Sequence, residues 1–213
     1  SRAGNKNCNV YKINFGIDIS FFKPDGRKKR YAVSGSSVLS IISTRNHEPI
    51  YDLETSIDAL GLLKKHNIAF SAQILGNGGL SIILKNQVKL LGLDDRITFP
   101  GSVSQKKLRD ALQSADIYVS TSLSDAGLAA STAEAMACGL IPIVSQVAEN
   151  KEWVTDDIGF TFQAGNSQDL FDKLRSALES FKHPGHETRS ANARRCIIDH
   201  NSIHFEMAKM KRI

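Results

Sequence analysis

Short apolar runs alternate with longer stretches of helical period along most of this chain, and the alternation predicts a parallel sheet covered by helices. VLSIIST (38–44) has the continuous, β-branched character of a buried strand. The following YDLETSIDALGLLKKH (51–66) places Leu53, Ile57, Leu60 and Leu63 on one side of a helix. IAFSAQIL (68–75) predicts a second strand running into GNGG (76–79), and LSIILKNQVKLLG (80–92) a helix stopped at Gly92. RITF (96–99) reads as a third strand, SQKKLRDALQSA (104–115) as a helix capped by Ser104, and DIYVSTS (116–122) as a fourth strand. SDAGLAASTAEAMACG (124–139) supplies the fourth helix, LIPIVSQ (140–146) a fifth strand, and GFTFQA (159–164) a sixth at an edge. NSQDLFDKLRSALES (166–180) is an amphipathic helix capped by Asn166, and Pro184 with Gly185 breaks the chain before one or two terminal helices. The fold class is α/β, a doubly wound and mostly parallel sheet of about six strands with helices on both faces.

Ligands of such sheets lie beyond the carboxyl ends of the strands, and four loops with unusual chemistry fall there: STRNHEP, LGNGG, FPGSV and STSLSDAGL. SLSDAGL leaves a strand and opens a helix, so backbone N–H groups near Gly127 to Ala130 point out of the helix start with the positive end of its dipole, which suits a phosphate. Small side chains there let a diphosphate approach the backbone; tight packing of the helix on its sheet accounts for them equally well. Glu134 is read as lying nearly two turns into this helix among alanines, partly buried and in need of hydrogen-bond donors, two of which a vicinal diol such as a ribose supplies. Arg45, at the end of the first strand, is either a surface arginine or a forked partner for phosphate oxygens. The Gly76, Asn77 and Gly78 turn is a plain glycine turn or a ligand loop. Pro100, Gly101, Ser102 and Val103 make a simple strand-to-helix turn or read the edge of a base. No Ser/His/Asp set, metal-ligand cluster or phosphate-binding P-loop motif is present, so hydrolytic, zinc and kinase chemistries lack support.

Composition narrows the partners. With 41% hydrophobic and 23% charged residues in 213, the chain is an ordinary soluble domain, with one core plus helical additions. No apolar run approaches the roughly 18 residues of a membrane span, and SRAGNKNCNV is unlike a signal peptide. Cys8, Cys138 and Cys196 lie far apart and read as reduced cytosolic thiols, so the expected location is cytoplasmic. The net charge of +5 is concentrated in RKKR (27–30), RR (194–195) and KMKR (209–212), which form solvated edges or weak contacts with anionic lipid at a membrane periphery. With only 7% aromatic residues and no broad basic face, no nucleic-acid partner is expected.

From about residue 10 to 181 the chain resembles the C-terminal, donor-binding domain of glycosyltransferase family 4, retaining enzymes of GT-B type ("glycosyl transferases group 1"). NFGIDISFFKP resembles the family's entry segment, STRNHEP its arginine loop, ILGNGG its glycine turn, and RITFPGSVSQKKLRDALQSADIYVSTS the run leading to the site. AEAMACGLIPIVSQ is the most specific piece, and VAENKEWVTDDIGFTF resembles a variant that follows it. The resemblance implies an entry segment (1–30) after an N-terminal domain absent here, a Rossmann-like donor-binding domain (31–181), and C-terminal helices (182–213) that cross back to that missing domain.

It further implies a sugar transferase whose donor is a UDP- or GDP-linked sugar, whose acceptor is a glycan or lipid-linked molecule, and which uses no cofactor or metal. Glu134 matches the second acid of the family's two-glutamate motif and holds the ribose; Arg45 matches the diphosphate arginine. Gly127, Leu128 and Ala129, with Ala126 and Ala130 beside them, match the loop facing the donor sugar and phosphates. Gly16, Gly76, Asn77, Gly78 and the Pro100–Val103 segment complete the donor-binding set. The first glutamate would fall at Ala126, with Asp125 one residue earlier, and the usual lysine five residues after the arginine is Ile50. These departures keep a second reading open, a non-catalytic domain that binds a sugar nucleotide or a partner protein. A related epimerase is less favoured, because no positions for its acid and base are identified. The fragment alone is expected to bind a nucleotide diphosphate weakly and to transfer nothing.

Overall fold

Six strands lie side by side in the order β3-β2-β1-β4-β5-β6, every neighbouring pair parallel. This arrangement comes from a computed structural model, which describes residues 15–26, 38–181 and 186–211. The strands are β1 (Leu39–Ser43), β2 (Phe70–Leu75), β3 (Ile97–Gly101), β4 (Ile117–Ser120), β5 (Ile141–Ser145) and β6 (Phe160–Phe162). The helices are α1 (Leu53–Lys65), α2 (Ser81–Leu90), α3 (Gln105–Ser114), α4 (Ala130–Ala137), α5 (Asn150–Trp153), α6 (Ser167–Phe181), α7 (His186–His200) and α8 (Ile203–Met210). Strand order runs outward one way from β1 and the other way from β4, so the reversal, and with it the natural ligand crevice, falls between those two strands.

Alternation along the strands builds two cores. Leu39, Ile41, Ile117, Val119, Ile141 and Ile143 face one side, where α1, α2 and α6 cover them with Leu53, Ile57, Leu60, Leu63, Leu84, Val88 and Phe171. Ile42, Tyr118 and Val144 face the other, under α3, α4 and α7. The expected helix face of α1 is thus its buried face, Ser104 accepts a hydrogen bond from the Lys107 amide, and Asn166 accepts one from the Asp169 amide.

Three local expectations need correction. The first concerns the fourth helix, which begins at Ala130, because residues 124–129 remain a loop with Gly127 at φ +77°; Glu134 is therefore one turn into the helix. The helix expected over 51–66 begins at Leu53 behind a 3-10 turn, Pro49–Tyr51, with Asp52 in a left-handed conformation between them. The third is α5, which the reading of the chain did not contain, since four residues carry no periodicity to detect.

α7 explains why α4 is made of small residues. It packs against α4, and Ala193 and Ile197 join Ala133, Ala135, Met136 and Ala137 in one close-packed core. Arg194 is not part of a solvated edge as the sequence suggested, whereas Arg195 is exposed. Its guanidinium donates to the Ala137 carbonyl at the end of α4, to Phe22 O at 3.1 Å and to Ile19 O at 3.4 Å. Ser190 donates to Gly139 O. The entry segment is tied to the C-terminal part of the chain, where the Ile17 amide donates to Asn201 O (2.8 Å) and the Ile203 amide to Ile17 O (3.0 Å). Cys138 and Cys196 are unbridged, and burial pushes the Cys196 thiol up to about 11. Cys8, RKKR (27–30), Pro184 and Gly185 lie outside the described residues. No helix among those described is long and apolar enough to cross a membrane.

Arg194→Met should leave these half-buried carbonyls without their charged donor and lower unfolding free energy by about 1–3 kcal/mol, while Arg195→Met should be near neutral. Urea denaturation of the two variants checks the contrast; equal effects would remove Arg194 from its structural role.

Candidate functional site

Around β1 and β4 the four loops singled out in the sequence meet at the carboxyl edge of the sheet. The first two are linked through both backbone and side chains. The His47 amide donates to Asn77 O (3.1 Å), the Leu80 amide to His47 O (2.9 Å) and the Gly79 amide to Glu48 Oε1 (3.1 Å). His47 is buried, its Nδ1 hydrogen-bonded to Ser81 Oγ at 2.8 Å, and Ser81 Oγ also receives the Gly78 amide. Burial holds the imidazole below its ordinary pKa, so it is neutral at pH 7. A side chain at Gly78 would collide with the His47 carbonyl, which is why that position in the turn needs glycine. The second loop joins the third through the Gly76 amide to Gly101 O (3.0 Å) and Asn77 Nδ2 to Ser102 Oγ (3.3 Å). Pro100 falls within β3, and Val103 packs against the second core.

Arg45 ties the first loop to the fourth. Although it follows β1 directly, it does not project into solvent; it is only 8% exposed. Its Nε donates to Ser122 Oγ at 2.9 Å, Nη1 to Ser131 Oγ at 3.1 Å, and Nη2 to Ser122 Oγ at 2.5 Å and to Asp125 Oδ1. The Tyr51 ring lies under the guanidinium, 4.7 Å from centroid to carbon. Tyr118 donates to the same Ser131 hydroxyl at 2.9 Å, Thr121 donates to Tyr51 O, and the Leu123 amide to Ile50 O. The serines and Tyr51 were not among the residues expected here; the STS…S spacing after β4 was the available signal, since hydroxyls at a strand end can line a buried guanidinium.

Asp125 has a side chain less than one tenth exposed, with Oδ2 buried and unpartnered. Gly127, Leu128 and Ala129 are half-buried in the loop before α4, and Ala126 and Ala130 are exposed. Ala129 caps α4 without a side-chain hydrogen bond, leaving the first amides of the helix without a local side-chain acceptor. Glu134 follows Ser131 by three residues and so shares its face of α4, the face that holds Arg45. Among the described residues no hydrogen-bond partner reaches its carboxylate, and burial raises its pKa to about 7. Gly16 is elsewhere in the chain's contacts, its nearest neighbours being the backbone of Ser202 and Ile203. No group of three metal-ligating side chains occurs among the described residues.

A six-stranded parallel sheet with helices on both faces, and polar loops gathered at the reversal of strand order, is a doubly wound, Rossmann-like domain. The sequence matches the family "Glycosyl transferases group 1" over residues 34–195, and the chain belongs to that family. It is 30% identical over 135 residues to WcaL of Escherichia coli (strain K12), named for a glycosyltransferase of colanic acid biosynthesis, covering 61% of this chain and 32% of the relative. The Salmonella typhimurium protein of the same name is 31% identical over 154 residues, 68% of this chain and 36% of the relative. The chain thus spans about a third of the length of these curated relatives. Among solved structures it resembles Anabaena HepE in complex with UDP (TM-score 0.80, 19% identity, 94% of this chain and 56% of that one). It also resembles the C-terminal domain of LpcC, a glycosyl transferase group 1 family protein from Francisella tularensis (TM-score 0.74, 21% identity, 88% of this chain and 100% of that one). At these identities the likeness is one of fold.

The Glu134 carboxyl gives a pH signature. Its folded pKa, about 7, lies above its ordinary value of 4.5, so the folded chain holds a proton that the unfolded chain has released between those two pH values. The stability associated with the protonated form is complete below pH 4.5 and is lost as pH rises through about 7. Glu134→Gln should match the parent near pH 4 and become progressively more stable than it towards pH 8, read by urea denaturation across pH. A constant difference would place Glu134 in water.

Proposed function

We propose that this chain is the donor-binding domain of a retaining glycosyltransferase, taking a nucleotide-diphosphate sugar and passing the sugar to a glycan or lipid-linked acceptor held by an N-terminal domain of the same protein. The observation that carries the reading is Glu134. A half-buried carboxylate without a partner among the described residues, on the helix face shared with Ser131 and beside converging polar loops, is suited to a ligand that brings its own pair of hydroxyl donors. A ribose is such a ligand. The uncapped amides at the start of α4 suit the diphosphate, and the Gly101–Val103 backbone suits the base.

In this reading the chemistry is electrostatic. Negative charge grows on the departing diphosphate, and amides already fixed at the helix start oppose it without reorganising. The UDP and UDP-glucose complexes of HepE support a uridine donor, and the relatives named for colanic acid biosynthesis support a polysaccharide product. A binding module without transfer is the second reading, favoured by the exposed Ala126 and Ile50 where the resemblance implies a glutamate and a lysine.

Calorimetric titration with UDP, GDP and ADP tests the assignment. One of them should bind, and Glu134→Ala should weaken it about tenfold or more, since hydrogen bonds to a charged acceptor contribute roughly 1.5–3 kcal/mol each before solvent compensation. Unchanged affinity in a folded variant removes the ribose from Glu134.

A further inference from the structure

We infer that Asp125 is an internal counter-ion for Arg45, which an incoming diphosphate must displace, so that this one carboxylate sets the ionic part of the site's affinity. The inference rests on the donor reading above. All three guanidinium nitrogens of Arg45 are already engaged by Ser122, Ser131 and Asp125, and both members of the ion pair are less than one tenth exposed. The charge that would attract a phosphate is therefore neutralised in place. A phosphate approaching Arg45 meets the Asp125 carboxylate, and two anions sharing one cation repel.

The geometry also provides the way out. Asp125 Oδ2 is buried with no hydrogen-bond partner, so the pair is only half satisfied and the carboxylate regains hydration on leaving. Asp125 sits in a loop whose flanking Leu123, Ser124 and Ala126 are exposed, and which turns at Gly127 (φ +77°) before α4 starts at Ala130. Its release leaves the helix wound. Arg45 stays where it is, because Ser122, Ser131 and the Tyr51 ring hold it independently of Asp125. What remains is a fixed guanidinium whose Nη2 offers a phosphate the N–H that Asp125 held, beside Ser131 in the first turn of α4.

The test compares the parent with Asp125→Asn, and with Asp125→Ala as a second variant of the same expected sign, by calorimetry with UDP, inorganic pyrophosphate and uridine, after thermal unfolding has shown each to be folded. Removing the negative charge should tighten UDP and pyrophosphate by on the order of tenfold, the scale of one charge–charge contact in a partly solvated site, and leave uridine unchanged. Equal or weaker UDP and pyrophosphate binding by both variants overturns the inference while leaving the donor reading intact. Should UDP bind neither parent nor variants, the donor reading falls, and pyrophosphate alone decides the counter-ion: a gain upholds it, no gain overturns it.

Discussion

Burying the Arg45 guanidinium is the constraint from which the site follows. A cation at the end of a parallel strand, cut off from water, needs partners on several sides, and here they come from beyond β4 and from α4: Ser122, Asp125 and Ser131. Meeting that need draws the fourth loop onto the first. The first is in turn bound to the second through His47, and the second to the third through Gly76 and Asn77. Four loops separated by whole helices become one polar surface at the place where strand order reverses.

The opposite side of α4 imposes the complementary constraint. Between the sheet and α7 the helix buries Ala133, Ala135, Met136 and Ala137. Of its three polar residues Thr132 is buried, while Ser131 and Glu134 lie three residues apart and only half-buried, on the face that holds Arg45. Ser131 is used within the chain; the Glu134 carboxylate has no hydrogen-bond partner among the described residues, and burial raises its pKa to about 7. The acid is tolerated among alanines because its position on the helix is only half-buried. α7 takes part from a distance, since Arg194 and Ser190 close the end of α4 and fix its axis.

Much of this was legible in the sequence, for physical reasons that differ from element to element. The strands could be read because a sheet covered on both faces needs continuous apolar runs, and α1 because Leu53, Ile57, Leu60 and Leu63 repeat at the helical period. Ser104 and Asn166 act through local geometry, and local signals survive in one dimension. The start of α4 did not, because Gly127 and Ala130 both belong to a run of small residues with no marker of the boundary. The burial of Arg45 and the structural use of Arg194 depend on residues far away in the chain, so local sequence leaves Arg45 open between a surface charge and a phosphate partner and reads Arg194 as a solvated edge. The Arg45–Asp125 pair spans 80 positions, and no local pattern announces it.

The central claim is that one nucleotide diphosphate lies across the loops after β1, β2, β3 and β4. Backbone amide NMR of the chain titrated with UDP measures this most directly. Shifts should concentrate at Arg45 to Ile50, Gly76 to Gly79, Gly101 to Val103 and Ser124 to Glu134, with α2, α6 and β6 unmoved. Shifts centred on α6, or on the Ile17 and Ser202 segments with the four loops silent, would contradict the account.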